Sequence, residues 1–440
     1  MSKTRTKAHP VVSVVTLGCK LNQADSETIA RQLAGEGVQV VDRAVKGADA
    51  FVINTCSVTH VADRKARHAV RLARRLSPNA QVVLTGCYAE TAPADVALIT
   101  GADFVARNAE KPLIPERILE KLRLSGDPAA GCGVAESSGR TRAFVKIQEG
   151  CSEMCAFCIV PYTRGREITV PMEAVVREVK ARESEGYLEV VLTGTQLGNV
   201  GRDLGWPRAE QGPLRLLTQL LEATTIPRIR LSSLQAQDMH PELLDLWQDA
   251  RLCPHFHLPL QSGSDPVLDR MRRHYTADEF RRAAALIRER VPGASITTDV
   301  IAGFPGETEG DFEATARLCE EIGFAQMHNF PYSRRPHTGA DKLAGHLPPP
   351  VRRERLERLL DIGRRSSERF RLAQVGETVP VLWEQQSGNL WQGLTPNYVR
   401  AYTSGETDTH ETGLGNTIRH VRLTGVYADG LTGALQSEHS

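Results

Sequence analysis

The chain has 440 residues, 41% hydrophobic and 24% charged, with a formal net charge of +1. That is room for about three globular domains of ~150 residues, and the near-neutral balance excludes a global field as the source of any nucleic-acid binding, which must come from local patches. No run approaches the ~18 apolar residues of a membrane helix, the basic start is not followed by an apolar signal segment, and nine cysteines without an export signal point to the reducing cytoplasm.

From residue 10 to 123 apolar strand-like runs alternate with helical patterns. Residues 11–17, 50–55 and 81–85 read as buried strands, and helices are predicted near 23–35, 60–76 and 90–100. Strands separated by helices imply a parallel α/β sheet, because parallel neighbours need a crossover. Each strand ends in a cysteine: Thr16-Leu17-Gly18-Cys19, Asn54-Thr55-Cys56 and Thr85-Gly86-Cys87. A lone buried cysteine is more often a small apolar core residue than a ligand. Three at matching strand ends share the carboxyl edge, where open α/β sheets place ligands, and read as a three-cysteine iron-sulfur site. The helix after Cys56 carries Arg64, Lys65, Arg67, Arg71, Arg74 and Arg75 against the single acid Asp63, and is either a phosphate-binding face or a solvated one.

Residues 124–140 are rich in Gly, Ala and Ser without a period and read as a linker, with Cys132 an incidental thiol. Next comes Gly150-Cys151-Ser-Glu-Met-Cys155-Ala-Phe-Cys158-Ile159, with gaps of three and two residues between cysteines. This spacing gives three thiolates to one cubic cluster and leaves one iron open for substrate or cosubstrate. Structural zinc normally needs a second short clip, which is not nearby. A disulfide framework fits poorly with an odd number of cysteines in a long chain.

Six strands are predicted between 141 and 372, at 143–148, 188–193, 228–233, 255–260, 295–301 and 326–331. Helices near 172–185, 213–223, 241–250, 276–290 and 309–322 separate them. Six repeats suit an open partial barrel, with the cysteine loop at the carboxyl-end mouth. Polar and glycine residues gather at the same ends: Thr193-Gly-Thr-Gln196, Ser232-Ser233, Gln261-Ser262-Gly263 and the run from Asp299 through Gly303 to Glu307. Residues 349–372 form a predicted helix with eight arginines against four acids, and 373–440 alternate as a small β-barrel would. In that barrel Trp383, Trp391, Tyr398, Arg400 and Tyr402 are candidates for gripping RNA or for core packing.

The motif Cys151-x3-Cys155-x-Phe157-Cys158 resembles that of the radical S-adenosylmethionine (SAM) superfamily, with Phe157 in the aromatic slot. The two cysteine triads together resemble the methylthiotransferase family over nearly the whole chain. So do Arg142–Gly150, Ile159–Glu167, His257-Leu-Pro-Leu-Gln-Ser-Gly-Ser264 and Gly303-Phe-Pro-Gly-Glu-Thr308. The resemblance implies an α/β chain in three parts: an amino-terminal parallel α/β cluster domain (10–123), a partial (β/α)6 radical SAM barrel (141–372) and an RNA-binding barrel of the TRAM type (373–440). It implies two 4Fe-4S clusters, held by Cys19, Cys56 and Cys87 and by Cys151, Cys155 and Cys158, with no catalytic residues beyond them. It implies SAM contacts at Phe157, Thr193, Gln261, Ser262 and Gly303. In that family one SAM methylates sulfur carried by the second cluster, a second SAM yields the radical that removes a hydrogen, and the methylthio group is transferred to that carbon.

The stretches Thr16–Glu27 and Asn54–Lys65 look most like the branch that adds a 2-methylthio group to N6-threonylcarbamoyladenosine at position 37, beside the tRNA anticodon. The partners implied are tRNA, an electron donor of flavodoxin or ferredoxin type and a sulfur source, with no membrane. Branches acting on isopentenyladenosine or on a ribosomal-protein aspartate are the alternatives within the family. A non-catalytic iron-sulfur RNA-binding regulator is the alternative outside it. Two departures from the family pattern stand out: Leu234-Gln-Ala-Gln-Asp238 after Ser233, where an acid and a proline are common, and His337, where glycine is usual.

Overall fold

A computed structural model of the protein describes residues 9–91, 96–97, 101–123, 141–206, 212–404 and 413–436. The linker 124–140 with Cys132, and part of the helix expected near 90–100, lie outside the described residues. The chain forms two compact units. The first comprises Met1–Gly139, Gly150–Ser152 and Cys158–Arg166; the second comprises Arg140–Glu149, Glu153–Phe157 and Glu167–Ser440.

The first unit is built on a five-stranded parallel sheet in the order β2-β1-β3-β4-β5. Its strands are β1 (Val11–Thr16), β2 (Gln39–Val41), β3 (Ala50–Thr55), β4 (Gln81–Gly86) and β5 (Phe104–Val105). Alternation along the strands divides the core in two. Val12, Val52 and Val83 pack with Ile29, Leu33, Ile114 and Ile118 on one face. Phe51, Ile53, Val82 and Leu84 pack with Ala66, Val70 and Ala73 on the other. Helix α1 (Lys20–Gly35) starts three residues earlier than its pattern suggests, because Cys19 itself is its N-cap. Helix α2 (His60–Leu76) is capped by Thr59, whose hydroxyl accepts from the Ala62 amide. The short helix α3 (Cys87–Thr91) follows β4 directly. Strands β2 and β5 have three and two residues, too few for a two-residue period to show in sequence.

In the second unit β6 (Arg142–Lys146), β9 (Glu189–Thr193) and β10 (Arg228–Leu231) form one parallel sheet, and a ribbon pairs β7 (Gln148–Glu149) with β8 (Ile168–Thr169). A second parallel sheet joins β11 (His255–His257), β12 (Ser295–Ala302) and β13 (Gln326–Pro331). The Ile229–Leu252 bridge and the Leu234 amide on His257 O link the two sheets, giving the expected open run of six strands. Two elements are shorter than expected. Strand β11 stops at His257, just before Leu258-Pro259, and the helix predicted at 241–250 is Pro241–Asp245 followed by a 3-10 turn, Leu246–Gln248. The strands β14 (Thr378–Ser387), β15 (Leu390–Leu394), β16 (Arg400–Ser404), β17 (Thr417–Tyr427) and β18 (Gly430–Leu435) close a barrel in the order β14-β15-β16-β18-β17. Among the described residues no helix is long and apolar enough to cross a membrane.

The arginine-rich segment is the helix Pro349–Leu372, and much of its charge is paired with acids of the same chain, one pair buried and others at the surface. Arg355 is buried against Glu307 (2.8 Å), Arg358 meets Glu313 (2.7 Å), and Arg365 meets Glu320 (3.0 Å). Of the two readings of the barrel's aromatic residues, core packing is what the structure shows for Trp383 and Trp391. Trp383 lies fully inside the carboxyl-terminal barrel, Trp391 packs on the same core, and the Tyr402 hydroxyl donates to Asp429, which also pairs with Arg400. A small five-stranded barrel has one narrow interior, and its largest side chains are what fill it.

Candidate functional site

The three strand-end cysteines of the first unit come together. Thr55 and Gly86 are register partners on β3 and β4, so Cys56 and Cys87 leave neighbouring strands at the same level. Cys19 follows β1, the other neighbour of β3, and caps the amino end of α1. The Cys56 thiol is pushed up to about 11, by burial first, with the Cys87 and Cys19 thiols and Asp63 adding to it. Several neighbours thus disfavour the anion, and a bound cation reverses that sign; a three-thiol donor set of this kind fits an iron-sulfur cluster. Among the described residues, Cys19, Cys56 and Cys87 are not one of the groups of three ligating side chains whose atoms lie within 4.8 Å of one another. A tetrahedral zinc ion would draw its sulfurs to about 3.8 Å.

Two small features shape the pocket. At Gly18 φ is +126°, and a Cβ there would lie 2.8 Å from Cys56 Cβ and 2.9 Å from Asn22 Nδ2. The fully buried Asn22 staples the edge, its amide donating to Leu17 O (2.9 Å) and Thr55 O (3.0 Å). Gly18→Ala is therefore expected to displace Cys56, at a backbone cost of about 1–3 kcal/mol. The measurement is iron per reconstituted chain, which should fall while the share held by the 151–158 loop remains; a wild-type iron content would refute this role.

The 151–158 loop is pinned at several points. In the first unit Cys151 N donates to Gly165 O (3.0 Å), and a Cβ on Gly150 would meet Arg166 O at 1.9 Å. The helix Val160–Arg164 that follows Cys158 packs against α3, which begins with Cys87. Arg164 from that helix donates to Asn22 Oδ1 and pairs with Asp25 of α1 (3.5 Å). In the second unit Ala156 N donates to Met271 O (2.9 Å), Ala340 N donates to Ala156 O (2.6 Å), and Phe157 lies against the cluster of Val267, Met271, Phe304 and Tyr332.

Sequence reasoning missed Arg273. Its Nη1 lies 3.3 Å from Cys155 Sγ, its Nη2 donates to Gln235 Oε1 (2.8 Å), and its Nε donates to the Tyr275 hydroxyl (3.2 Å). A guanidinium beside a sulfur stabilises negative charge there, and would be one of the levers that set a cluster's potential if Cys155 held one. The Leu234–Asp238 departure gains a physical role here, because the buried Gln235 anchors this arginine. The other departure, His337, has φ 72°, the left-handed backbone that favours glycine.

The predicted SAM-contacting residues divide. Thr193 is buried at the end of β9, and Gln261 is buried four residues past β11, where it bridges to Val300 of β12 at φ 65°. Gly303 donates its amide to Glu307 Oε2 (2.7 Å), and a Cβ there would meet Arg352 at 2.4 Å. The Ser262 hydroxyl is fully buried and bonded to Thr315 (3.2 Å), on the helix side. Two hydroxyls from the polar runs expected at these strand ends, neither of them given a SAM contact from sequence, stand out as well: Thr195 Oγ1 and Ser232 Oγ are buried without a hydrogen-bond partner. Gln148 Oε1 fixes the Thr195 turn by accepting from the Thr195 and Gln196 amides, both at 2.9 Å. Orphaned hydroxyls at two adjacent strand ends fit a polar ligand such as SAM.

Residues 145–319 match the Radical SAM superfamily, and residues 11–106 match the uncharacterized protein family UPF0004. Threonylcarbamoyladenosine tRNA methylthiotransferase MtaB of Aquifex aeolicus (strain VF5) is 38% identical over 400 residues, covering 88% of this chain and 95% of that protein. A tRNA-2-methylthio-N(6)-dimethylallyladenosine synthase of Anaeromyxobacter dehalogenans (strain 2CP-C) is 36% identical over 399 residues, covering 86% of this chain and 84% of that one. Among solved structures, the radical S-adenosylmethionine methyltransferase TsrM from Kitasatospora setae, with tryptophan substrate and a SAM analog bound, shares the fold. The TM-score is 0.55 at 16% identity, over 86% of this chain and 79% of that one. The matched segments fall on the cysteine-edged sheet and on the partial barrel as far as β12, and with the relative's 38% identity over most of both chains, the chain belongs to the radical SAM methylthiotransferases.

Proposed function

We propose that the chain adds a 2-methylthio group to N6-threonylcarbamoyladenosine at position 37 of tRNA, in the cytoplasm. In this reading Cys151, Cys155 and Cys158 hold one 4Fe-4S cluster, and Cys19, Cys56 and Cys87 hold a second. The carrying observation is the convergence of Cys19, Cys56 and Cys87 on one sheet edge of the unit that also contains Cys158. The name of the Aquifex aeolicus relative supports the nucleoside. Domains 10–123, 141–372 and 373–440, an electron donor of flavodoxin or ferredoxin type and a sulfur source belong to the same proposal.

Bound there, the clusters supply the electron that cleaves SAM and the sulfur to be transferred. The chain's own residues hold and orient. Arg273 donates to Cys155, Asn22 and Gly18 set the pocket of the amino-terminal triad, and the Thr195 and Ser232 hydroxyls are offered to SAM. Those orphaned hydroxyls also argue against a purely redox-sensing RNA-binding protein, which needs no cofactor pocket.

Helix α2 supports the RNA side of the reading. Arg64, His68, Arg71 and Arg75 are exposed at helical spacing, with Lys65 beside them. Arg67 and Arg74 instead turn to Tyr88 and Asp103. Arg71→Gln with Arg75→Gln is expected to weaken tRNA binding whatever the sequence, and to reduce the slope of log affinity against log salt by about 2. An unchanged slope would return this face to solvent.

The deciding experiment is mass spectrometry of tRNA nucleosides from cells lacking the gene. Loss of the 2-methylthio group from threonylcarbamoyladenosine, and from no other nucleoside, is the expected result. Loss from isopentenyladenosine instead would favour the second reading, which the Anaeromyxobacter dehalogenans relative's name keeps in play.

A further inference from the structure

A polar trio stands on the inner face of the second sheet, in the catalytic barrel. Asp299 and His328 are register partners on β12 and β13, and His257 sits on β11. One ligand atom from each lies within 4.8 Å of the others. His257 Nε2 is 3.3 Å from Asp299 Oδ2, its Nδ1 is 3.0 Å from Thr297 Oγ1, and its ring centroid is 5.9 Å from that of His328. On either side of His328 along the strand, Met327 packs under Gly363 and Asn329 donates to Leu359 O (3.0 Å), both toward the helix Pro349–Leu372. Period-two alternation therefore turns the exposed His328 to the opposite face, into the barrel. Asp299 lies about 10 Å along β12 from the strand's end at Ala302.

We propose that His328, beside the His257–Asp299 pair, reads the substituent on the target adenine: the His328 imidazole donates to its carboxylate, and Asp299, held by His257, accepts from its hydroxyl or carbamoyl N–H. The assignment rests on the substrate reading above and deepens it. A threonylcarbamoyl group carries an anion, a hydroxyl and N–H donors, and the trio offers, at one point, a donor at His328 and an acceptor at Asp299. A prenyl group offers none of these and would desolvate three polar side chains without pairing them. A site built to hydrogen-bond its substrate discriminates strongly against an analogue that lacks the partner. His328 is then a specificity-determining residue.

The test uses the full-length holoenzyme and anticodon stem-loops carrying, at position 37, threonylcarbamoyladenosine, its threonyl methyl ester or isopentenyladenosine. Affinity and kcat/KM are measured for the wild type, His328→Leu and His328→Asn. Wild type should prefer the free acid to its ester by roughly 10- to 100-fold, the scale of one charge-assisted hydrogen bond. His328→Leu should lose that ratio mainly through KM, and His328→Asn, which keeps a donor, should restore part of it. Because the ratio is taken within each variant, a general loss of folded protein does not move it. A wild-type ratio in His328→Leu overturns the proposal. So does one zinc or manganese per wild-type chain beyond the cluster iron, absent from His328→Leu, which would make the trio a metal site. Wild type that modifies only the isopentenyl stem-loop overturns the substrate reading, and the proposal with it.

Discussion

Cys87→Ala is expected to leave about half the iron of the reconstituted protein and no methylthiolated nucleoside. Cys87 is 6% exposed and begins α3 directly after Gly86, whose φ of +92° carries the chain past Thr55 O. Alanine fits that space, so the lost group is the sulfur and not the fold. Cys19 and Cys56 remain, but two thiolates leave a cubic cluster underliganded. The 151–158 loop keeps its three thiols, and the variant should therefore still form 5′-deoxyadenosine from SAM. Cys155→Ala should lose both reactions, because it strips the other triad and the partner of Arg273. Iron and sulfide quantitation, 5′-deoxyadenosine by chromatography and product by mass spectrometry separate the outcomes. Full product from Cys87→Ala would remove the amino-terminal triad from the chemistry.

The amino-terminal triad was legible because parallel sheets obey a directional rule. Once 11–17, 50–55 and 81–85 read as strands with crossovers, their carboxyl ends had to share an edge, and the cysteines stand at those ends. Arg273 was not legible. It lies 118 residues from Cys155, and no spacing rule predicts a side chain that arrives through tertiary packing. The eight arginines of Pro349–Leu372 mislead for a related reason. Counting charges does not reveal that Arg355 faces Glu307, the residue that also takes the Gly303 amide. Aromatic content has the same blind spot, since alternation alone does not say which face of β14 is the inside, and Trp383 is on it.

Glu189→Gln is expected to cost about 3–5 kcal/mol, because it leaves a guanidinium buried without its countercharge. Glu189 and Arg230 are fully buried on adjacent strands and joined by two bonds, Nε to Oε1 (2.7 Å) and Nη2 to Oε2 (3.1 Å). Around them the carboxyl-terminal barrel closes the floor of the six-stranded run. Arg230 Nη1 donates to Pro396 O (2.8 Å), Arg228 Nη1 to Leu394 O (3.0 Å), and Tyr398, at φ 68°, stacks its ring on His255 with centroids 4.6 Å apart. Burial pushes the Glu189 carboxyl up, but the Arg230 charge and hydrogen bonds outweigh it and hold it below its ordinary range. A depressed carboxylate stabilises the fold at pH values above its unfolded pKa of about 4.3, and that contribution is lost as pH falls through the folded value. The two arginines respond differently. Burial pushes Arg230 down, but the Cys253 sulfur and then the Glu189 carboxylate and its hydrogen bonds outweigh it and hold Arg230 above its ordinary value, whereas at Arg228, 3.7 Å from the same carboxylate, burial wins and the shift is downward. Arg230 is therefore the partner that Glu189→Gln strands. Thermal unfolding at pH 7 should show a markedly lower midpoint, and Glu189→Leu combined with Arg230→Met should recover much of the loss, since a pair replaced by apolar groups strands no charge. A wild-type midpoint for Glu189→Gln would mean that water reaches the floor, and that the carboxyl-terminal barrel does not seal it.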